Sequence, residues 1–337
     1  MTKKQDFKID VCPSTLAVGF STYSPIGLQN LFNGQEVRPI LSYNSPINSE
    51  LIAEKFMENR KRISISGVQL KLSFILENKT LRLVNETEQG QYILKPIPQD
   101  VKKVNMVPAN EHLTMQIARQ VYSIPTAENG LIFFKDGTPA YLTKRFDIKN
   151  DGTKWAKEDF ATLAGKSKDN SQADFKYTYS YEELGLLFPK YIAAWKTEIE
   201  KYFALVIFNY LFSNGDAHLK NFSLLENSTG NYALSPAYDL LNTRLHVSDT
   251  DFALNKGLFV DNFQSPAYRK NRHPSASDFI EFGRRIGVDE VRIKEIIAPF
   301  SERHPSVETL IDASFLEQAE KKSYLIYHNT QRNYFNE

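Results

Sequence analysis

A single cysteine, Cys12, stands in the 337 residues. That excludes an internal disulfide and any multi-cysteine zinc site, and it suits a reducing cytoplasm. A lone thiol this near the start is expected to be inert rather than nucleophilic. Excess charge of either sign is also lacking, since 41 Lys and Arg oppose 40 Asp and Glu. Binding nucleic acid mainly through its phosphates requires a basic field, so any direct role at DNA would have to be local. No apolar run approaches the roughly 20 residues that cross a bilayer. The opening has Lys3 and Lys4 but no apolar stretch of signal-peptide length. A cytoplasmic protein with no membrane role is expected. Repeats of solenoid length and low-complexity tracts are missing too. So are the G-x-S-x-G elbow, the H-E-x-x-H helix and the dinucleotide fingerprint, which leaves hydrolase and dehydrogenase chemistry without support.

Apolar residues make up 42% of the chain and aromatics 12%, ample for one large or two medium domains. Residues 63–146 show short strands and one helix. Residues 71–76 and 80–84 flank the polar turn of Glu77, Asn78 and Lys79 as a hairpin, and residues 92–96 form another strand ended by Pro96. Leu113, Ile117 and Val121 recur every four residues, which predicts an amphipathic helix over 110–121. Two further strands, 131–134 and 140–146, flank the turn at Lys135, Asp136 and Gly137. Beyond Asp147 comes a polar stretch, 149–177, expected to hold a mobile loop. Helices are then predicted over 181–195 and 196–212, followed by a strand pair at 222–225 and 232–234. After Pro274, Ser275 or Ser277 can cap a helix running to Gly287, and two more helices end the chain. The expectation is an α+β chain, with a strand-rich N-terminal lobe over 1–146 and a mostly helical C-terminal lobe over 147–337. The first 60 residues read poorly and are assigned only to the N-terminal lobe.

The chemistry concentrates in residues 214–221, Asn-Gly-Asp-Ala-His-Leu-Lys-Asn. Asp216 and Asn221 are five apart, the separation of the catalytic aspartate and Mg²⁺-binding asparagine in the protein-kinase loop H-R-D-x-x-x-x-N. Phosphoryl transfer needs a carboxylate to orient the attacking hydroxyl and oxygen ligands to hold Mg²⁺ on the phosphates of ATP. His218 stands two beyond the aspartate, where many kinases carry a lysine, and is placed to reach the γ-phosphate. Alone, this spacing arises readily by chance. Asp239, eighteen residues beyond Asn221, strengthens it as a second metal ligand; an isolated Tyr-Asp is otherwise a turn or cap.

Upstream, Ser64, Ile65, Ser66, Gly67, Val68, Gln69 and Lys71 lie in a small-residue stretch whose backbone N–H groups can cradle phosphate, though taken by itself it reads first as an ordinary turn. Lys95, at a strand end, is the candidate for the α- and β-phosphates. Glu111 opens the next helix, as an ion-pair partner for Lys95 or as compensation of the helix dipole. Lys144, Arg145 and Phe146 sit where the lobes join and can line an adenine pocket, with plain strand packing as the competing explanation. The histidines at 112, 246, 273, 304 and 328 show no i, i+4 metal pair and are expected on the surface or in packing.

Taken together, these motifs resemble the HipA family of kinases, toxins of bacterial toxin–antitoxin modules. The likeness runs from Arg62 to at least Arg244. It meets Ser-x-x-Gly-x-Gln-x-Lys over 64–71, Ile-Leu-Lys-Pro with Lys95, Asn-Glu-His at Asn110, Glu111 and His112, and Arg-Phe-Asp over 145–147. Gly-Asp-x-His-x-x-Asn and Tyr-Asp follow in order. The resemblance implies a bilobal protein-kinase-like fold, ATP and Mg²⁺ as cofactors, and phosphorylation of serine or threonine on a protein, an aminoacyl-tRNA synthetase in the best-known members. It implies autophosphorylation at Ser64, Ser66 or both, which would put about two negative charges where ATP phosphates must sit. The short region before the loop and its Ser-Ile-Ser sequence are similar to the HipT form. That implies a small HipS-like partner, a HipB-like helix-turn-helix antitoxin, or both, with DNA reached only through the antitoxin. Two rivals stay open: a kinase for a lipid or small-molecule acceptor, and a non-catalytic module that binds a nucleotide or partner.

Overall fold

The computed structural model describes residues 8–45, 70–98, 101–167 and 174–337. The expected hairpin forms from β1 (Leu72–Glu77) and β2 (Thr80–Leu83). Asn78 and Lys79 make the turn, both left-handed at φ 48° and 63°, the backbone that a two-residue hairpin requires. With β3 (Tyr92–Lys95), β4 (Asn129–Phe133) and β5 (Pro139–Lys144) they form an antiparallel sheet in the order β2-β1-β3-β5-β4. Its inward residues Leu72, Phe74, Leu94 and Leu142 pack with Tyr23, Leu31, Phe32 and Val37. The segment before residue 60 that is described thus covers one face of this sheet. There α1 (Pro25–Phe32) starts under the Ser24 hydroxyl, which accepts from Gly27 N at 3.1 Å.

The other face receives α2 (Val107–Gln120), which begins earlier than its apolar period suggests because Pro108 suits a first turn. Leu113, Ile117 and Ala118 are buried, but so are Asn110, Glu111, His112, Thr114 and Gln116. Polar burial of this kind calls for internal partners, and among the described residues only His112 Nε2 of this helix lacks one. Asn129 answers two of the buried side chains, its Oδ1 standing 3.0 Å from His112 Nδ1 and accepting from Gln116 Nε2 at 3.1 Å.

Beyond the sheet, α3 (Trp195–Leu211) is the central helix of the second half and buries Ile199, Tyr202, Phe203, Val206 and Phe208. Side chains of this size contribute about 1.5–3 kcal/mol each when fully buried. α4 (Ala276–Arg285), α5 (Glu290–Ser301), α6 (Pro305–Ala313) and α7 (Gln318–Asn336) are the longer helices that follow, after a short one at Pro266–Asn271. The sequence suggested two terminal helices; three form, because the chain turns extended at Glu302 and restarts at Pro305. Likewise the predicted helix over 181–195 is two short turns, Tyr181–Gly185 and Phe188–Tyr191, the second opened by Pro189. The 149–177 stretch is not all loop. Lys157–Asp159 forms β6, which joins β7 (Ser223–Glu226) and β8 (Tyr232–Leu234) in a three-stranded sheet. Two backbone bonds tie the approach to β4 to the chain just before Asp239: Ala127 N to Ala237 O at 2.9 Å and Ala237 N to Pro125 O at 2.8 Å.

Candidate functional site

Residues far apart in sequence meet at one ammonium. Lys95, the last residue of β3, is buried, and its Nζ donates to Glu111 Oε1 at 2.6 Å and to Asp239 Oδ1. The strand fixes the lysine stem and Tyr141 of the next strand covers the charge, its ring centroid 5.2 Å from Nζ. Burial opposes the charge on Lys95, but Asp239 and Glu111 outweigh it and hold the ammonium protonated well past its usual range. Burial also pushes Asp239 up, yet Lys95 and Lys71 prevail and keep its carboxyl well below the ordinary carboxylate range. For Glu111 burial wins, helped by Asp239 against Lys95, and its carboxyl is raised.

Asp239 is itself left-handed, at φ 57°, a conformation that costs a non-glycine residue and that aspartate tolerates best after asparagine. The turn swings its carboxylate back toward the sheet. Its Oδ2 accepts from Asn221 Nδ2 at 3.3 Å and lies 3.5 Å from Lys71 Nζ. Among the described residues no trio of His, Cys, Asp or Glu forms a metal cluster. Asp239 carries carboxylate oxygens and Asn221 an amide oxygen, hard donors of the kind Mg²⁺ takes when phosphate and water supply the remaining ligands, though here the amide turns its Nδ2 to Asp239 and its oxygen to His218 N.

The 214–221 loop leaves the end of α3, whose last turn passes into left-handed Ser213 at φ 53°. Asn214 anchors the turn, its N–H on Asn209 O and its Nδ2 on Asn209 Oδ1, both at 2.8 Å. The Gly215 N–H donates to Thr243 Oγ1 at 2.8 Å, and a Cβ at Gly215 would stand 2.6 Å from the Asp249 side chain. A side chain there would have to displace Asp249. The Asp216 side chain remains 48% exposed, and its Oδ1 accepts from Tyr177 OH at 2.8 Å. His218 is buried, which pushes its imidazole down to about 4. Its Nε2 lies 2.9 Å from Lys176 Nζ. The loop closes when Asn221 Oδ1 accepts from His218 N at 3.1 Å.

The structure therefore gathers Lys71, Lys95, Glu111, Asn221 and Asp239, with Asp216 and His218 on the adjoining loop. Ser64, Ile65, Ser66, Gly67, Val68 and Gln69 lie outside the described residues. Lys144 points elsewhere, its Nζ donating to Asn33 Oδ1 at 2.6 Å. Arg145 is engaged by Asp147 through bonds of 2.9 and 2.6 Å, whereas the Phe146 ring approaches Tyr238 at 5.8 Å. His112, His246 and His328 are buried packing residues. Sequence reasoning missed Lys176 and Tyr177, which sit in a polar stretch with no periodicity to mark them. It also missed the bracing roles of Asn110 and Thr243, for which an Asn beside the helix glutamate was the only signal. A cavity of about 330 Å³ lined by Tyr122, Thr197, Leu234 and Arg292 contains none of these residues.

A family model described as the HipA-like C-terminal domain matches residues 63–307. A Haemophilus influenzae protein named "Putative kinase" is 28% identical over 321 residues, 88% of each chain. Among solved structures, a chain of the Shewanella oneidensis HipA, HipB and operator DNA complex superposes with a TM-score of 0.60 at 19% identity, covering 83% of this chain and 69% of that one. The Helicobacter pylori proinflammatory kinase CtkA superposes at 0.52 with 14% identity, covering 78% and 90%. These two likenesses establish the α+β kinase-like fold.

Proposed function

Because the chain belongs to the HipA-like C-terminal domain family, we propose that it is an ATP- and Mg²⁺-dependent protein serine/threonine kinase and the toxin of a toxin–antitoxin pair. The observation that carries this is the convergence of Lys95, Glu111, Asn221 and Asp239 beside an exposed Asp216. Lys95, held at fixed reach by β3 and Glu111, meets the α- and β-phosphates of ATP. Asp239 and Asn221 would hold Mg²⁺, which when bound neutralises charge on the phosphates. Asp216 orients the acceptor hydroxyl and takes its proton as the new O–P bond forms and the bond from the γ-phosphorus to ADP breaks. Phe146 and Tyr238 offer ring faces for adenine, with the backbone of Lys144 and Arg145 alongside.

The acceptor in this proposal is a protein, an aminoacyl-tRNA synthetase by family analogy. Ser64 and Ser66 are the self-modified residues, and a HipB-like antitoxin, a HipS-like protein, or both restrain the activity in the cytoplasm. The test is incubation with γ-labelled ATP and a whole-cell extract, with lipid and small-molecule acceptors as separate arms. Parent protein should label extract protein, and Asp216→Gln should bind ATP yet transfer nothing. Equal labelling by the variant, or label confined to the lipid or small-molecule arm, would overturn the assignment.

A further inference from the structure

The loop that carries Asp216 has a buried histidine, His218, at the place two residues on. A cation reaches that place from another segment. Lys176 Nζ sits 2.9 Å from His218 Nε2; an ammonium has no acceptor, so it donates and Nε2 accepts. One of its three N–H groups is thereby spent, and among the described residues no carboxylate forms a salt bridge with it. The stem is held in place. Phe175 beside it is buried in the core, the Tyr177 ring lies 4.8 Å from Nζ, and Tyr177 O accepts from Asn255 N at 3.0 Å. Tyr177 in turn donates to Asp216 Oδ1, which places the same segment directly on the exposed carboxylate.

We propose that Lys176 is a phosphate-facing cation of the transfer site, oriented by His218 and supplied from outside the Asp216 loop. Its two remaining N–H groups meet the oxygens of the phosphoryl group as it passes from ATP to the acceptor hydroxyl aligned by Asp216. Charge on those oxygens is largest during transfer, so a fixed ammonium acts there more than on bound ATP. Half-burial pushes the Lys176 ammonium below its usual range, with Lys220 and Lys71 adding to that push and Asp216 opposing it.

This inference rests on the kinase reading, and the experiment separates the two. Full-length parent, Lys176→Met and Lys176→Arg are compared by transfer from γ-labelled ATP to whole-cell extract, by calorimetric affinity for Mg²⁺ with a non-hydrolysable ATP analogue, and by thermal midpoint. Lys176→Met should lower turnover at saturating ATP by about 10²-fold while nucleotide affinity changes less than about threefold. Lys176→Arg should recover most of the loss because it keeps the charge. Met turnover close to that of the parent, a loss matched by weaker nucleotide binding, or an equal loss in Met and Arg would each overturn the role of Lys176. A parent that transfers no phosphate would instead overturn the kinase reading and this inference with it.

Discussion

Lys95 and Asp239 are 144 residues apart in the chain and form a direct ion pair, with Glu111 Oε1 2.6 Å away on the same ammonium. The pair joins the strand-rich half of the molecule to the turn after β8. Buried Glu111 and partly exposed Asp239 therefore share one buried cation, with Lys71 a second partner 3.5 Å from Asp239, and removal of Lys95 affects stability as well as ligand binding.

Lys95→Met should lower unfolding free energy at pH 7 by about 3–5 kcal/mol, the usual cost of stranding one side of a buried pair. Without the lysine, the Glu111 carboxyl, already raised by burial, rises further, and Asp239 keeps only Lys71, so the folded variant binds more protons than the folded parent and the deficit shrinks as pH falls. Urea unfolding at pH 7 and pH 5 would show it, and a deficit independent of pH would count against the arrangement. ATP binding should be lost in the same variant.

Asp239→Asn keeps the shape of the side chain and removes its charge. Affinity for Mg²⁺-ATP should drop about tenfold or more, roughly 1.4 kcal/mol, while affinity for ATP without Mg²⁺ changes much less. Calorimetry with and without the cation reads the difference. If both fall together, Asp239 serves Lys95 and holds no metal.

How much of this was legible in the sequence depends on what each residue does. Strands β1, β2, β3 and β5 follow from short alternating runs and turn residues, and Lys95, Glu111, Asn221 and Asp239 follow from spacing around them. The split of 181–195 into two short turns was signalled by Pro189 but outweighed by the apolar pattern around it. Lys176 and Tyr177 were invisible for a different reason. They reach the Asp216 loop from 39 to 42 positions away, and no local pattern records a contact made only by the tertiary fold. Lys144 shows the converse, since its position in a plausible motif did not say that its side chain turns toward Asn33.

Stability should also fall on mild acidification. Burial holds His112 and His328 down at about 4, whereas an unfolded histidine titrates near 6.5. Between those values the unfolded chain takes up protons that the folded chain refuses, so unfolding free energy declines as pH drops, by about 3 kcal/mol for each residue near pH 4. The His328 ring stacks on Phe212 at 4.4 Å, so His328→Phe can fill the same space without the ionisation. Its unfolding free energy should decline less than that of the parent between pH 7 and pH 4.5. Parallel curves would show that this histidine is not the source.

Asn110 makes the final case, because it connects Glu111 to the Asp239 turn without touching either carboxylate. Its Nδ2 donates to Asn242 O at 2.8 Å and its Oδ1 accepts from Asn242 N at 3.1 Å, while His246 Nε2 lies 2.9 Å from the same Nδ2. The side chain thus mimics a paired strand for one buried residue of the segment that follows Asp239. Asn110→Ala strands the Asn242 backbone N–H away from water, at about 1–3 kcal/mol for a buried group left unsatisfied, and leaves the Asn242 C=O only the 3.4 Å bond from Leu245 N. The turn should loosen against α2, so that Lys95 is no longer shared between Glu111 and Asp239. The expected outcome is a lower thermal midpoint together with weaker Mg²⁺-ATP binding, and saturating Mg²⁺-ATP should restore much of the midpoint because binding to the folded state stabilises it. A variant that loses stability yet binds Mg²⁺-ATP as the parent does would confine Asn110 to the scaffold.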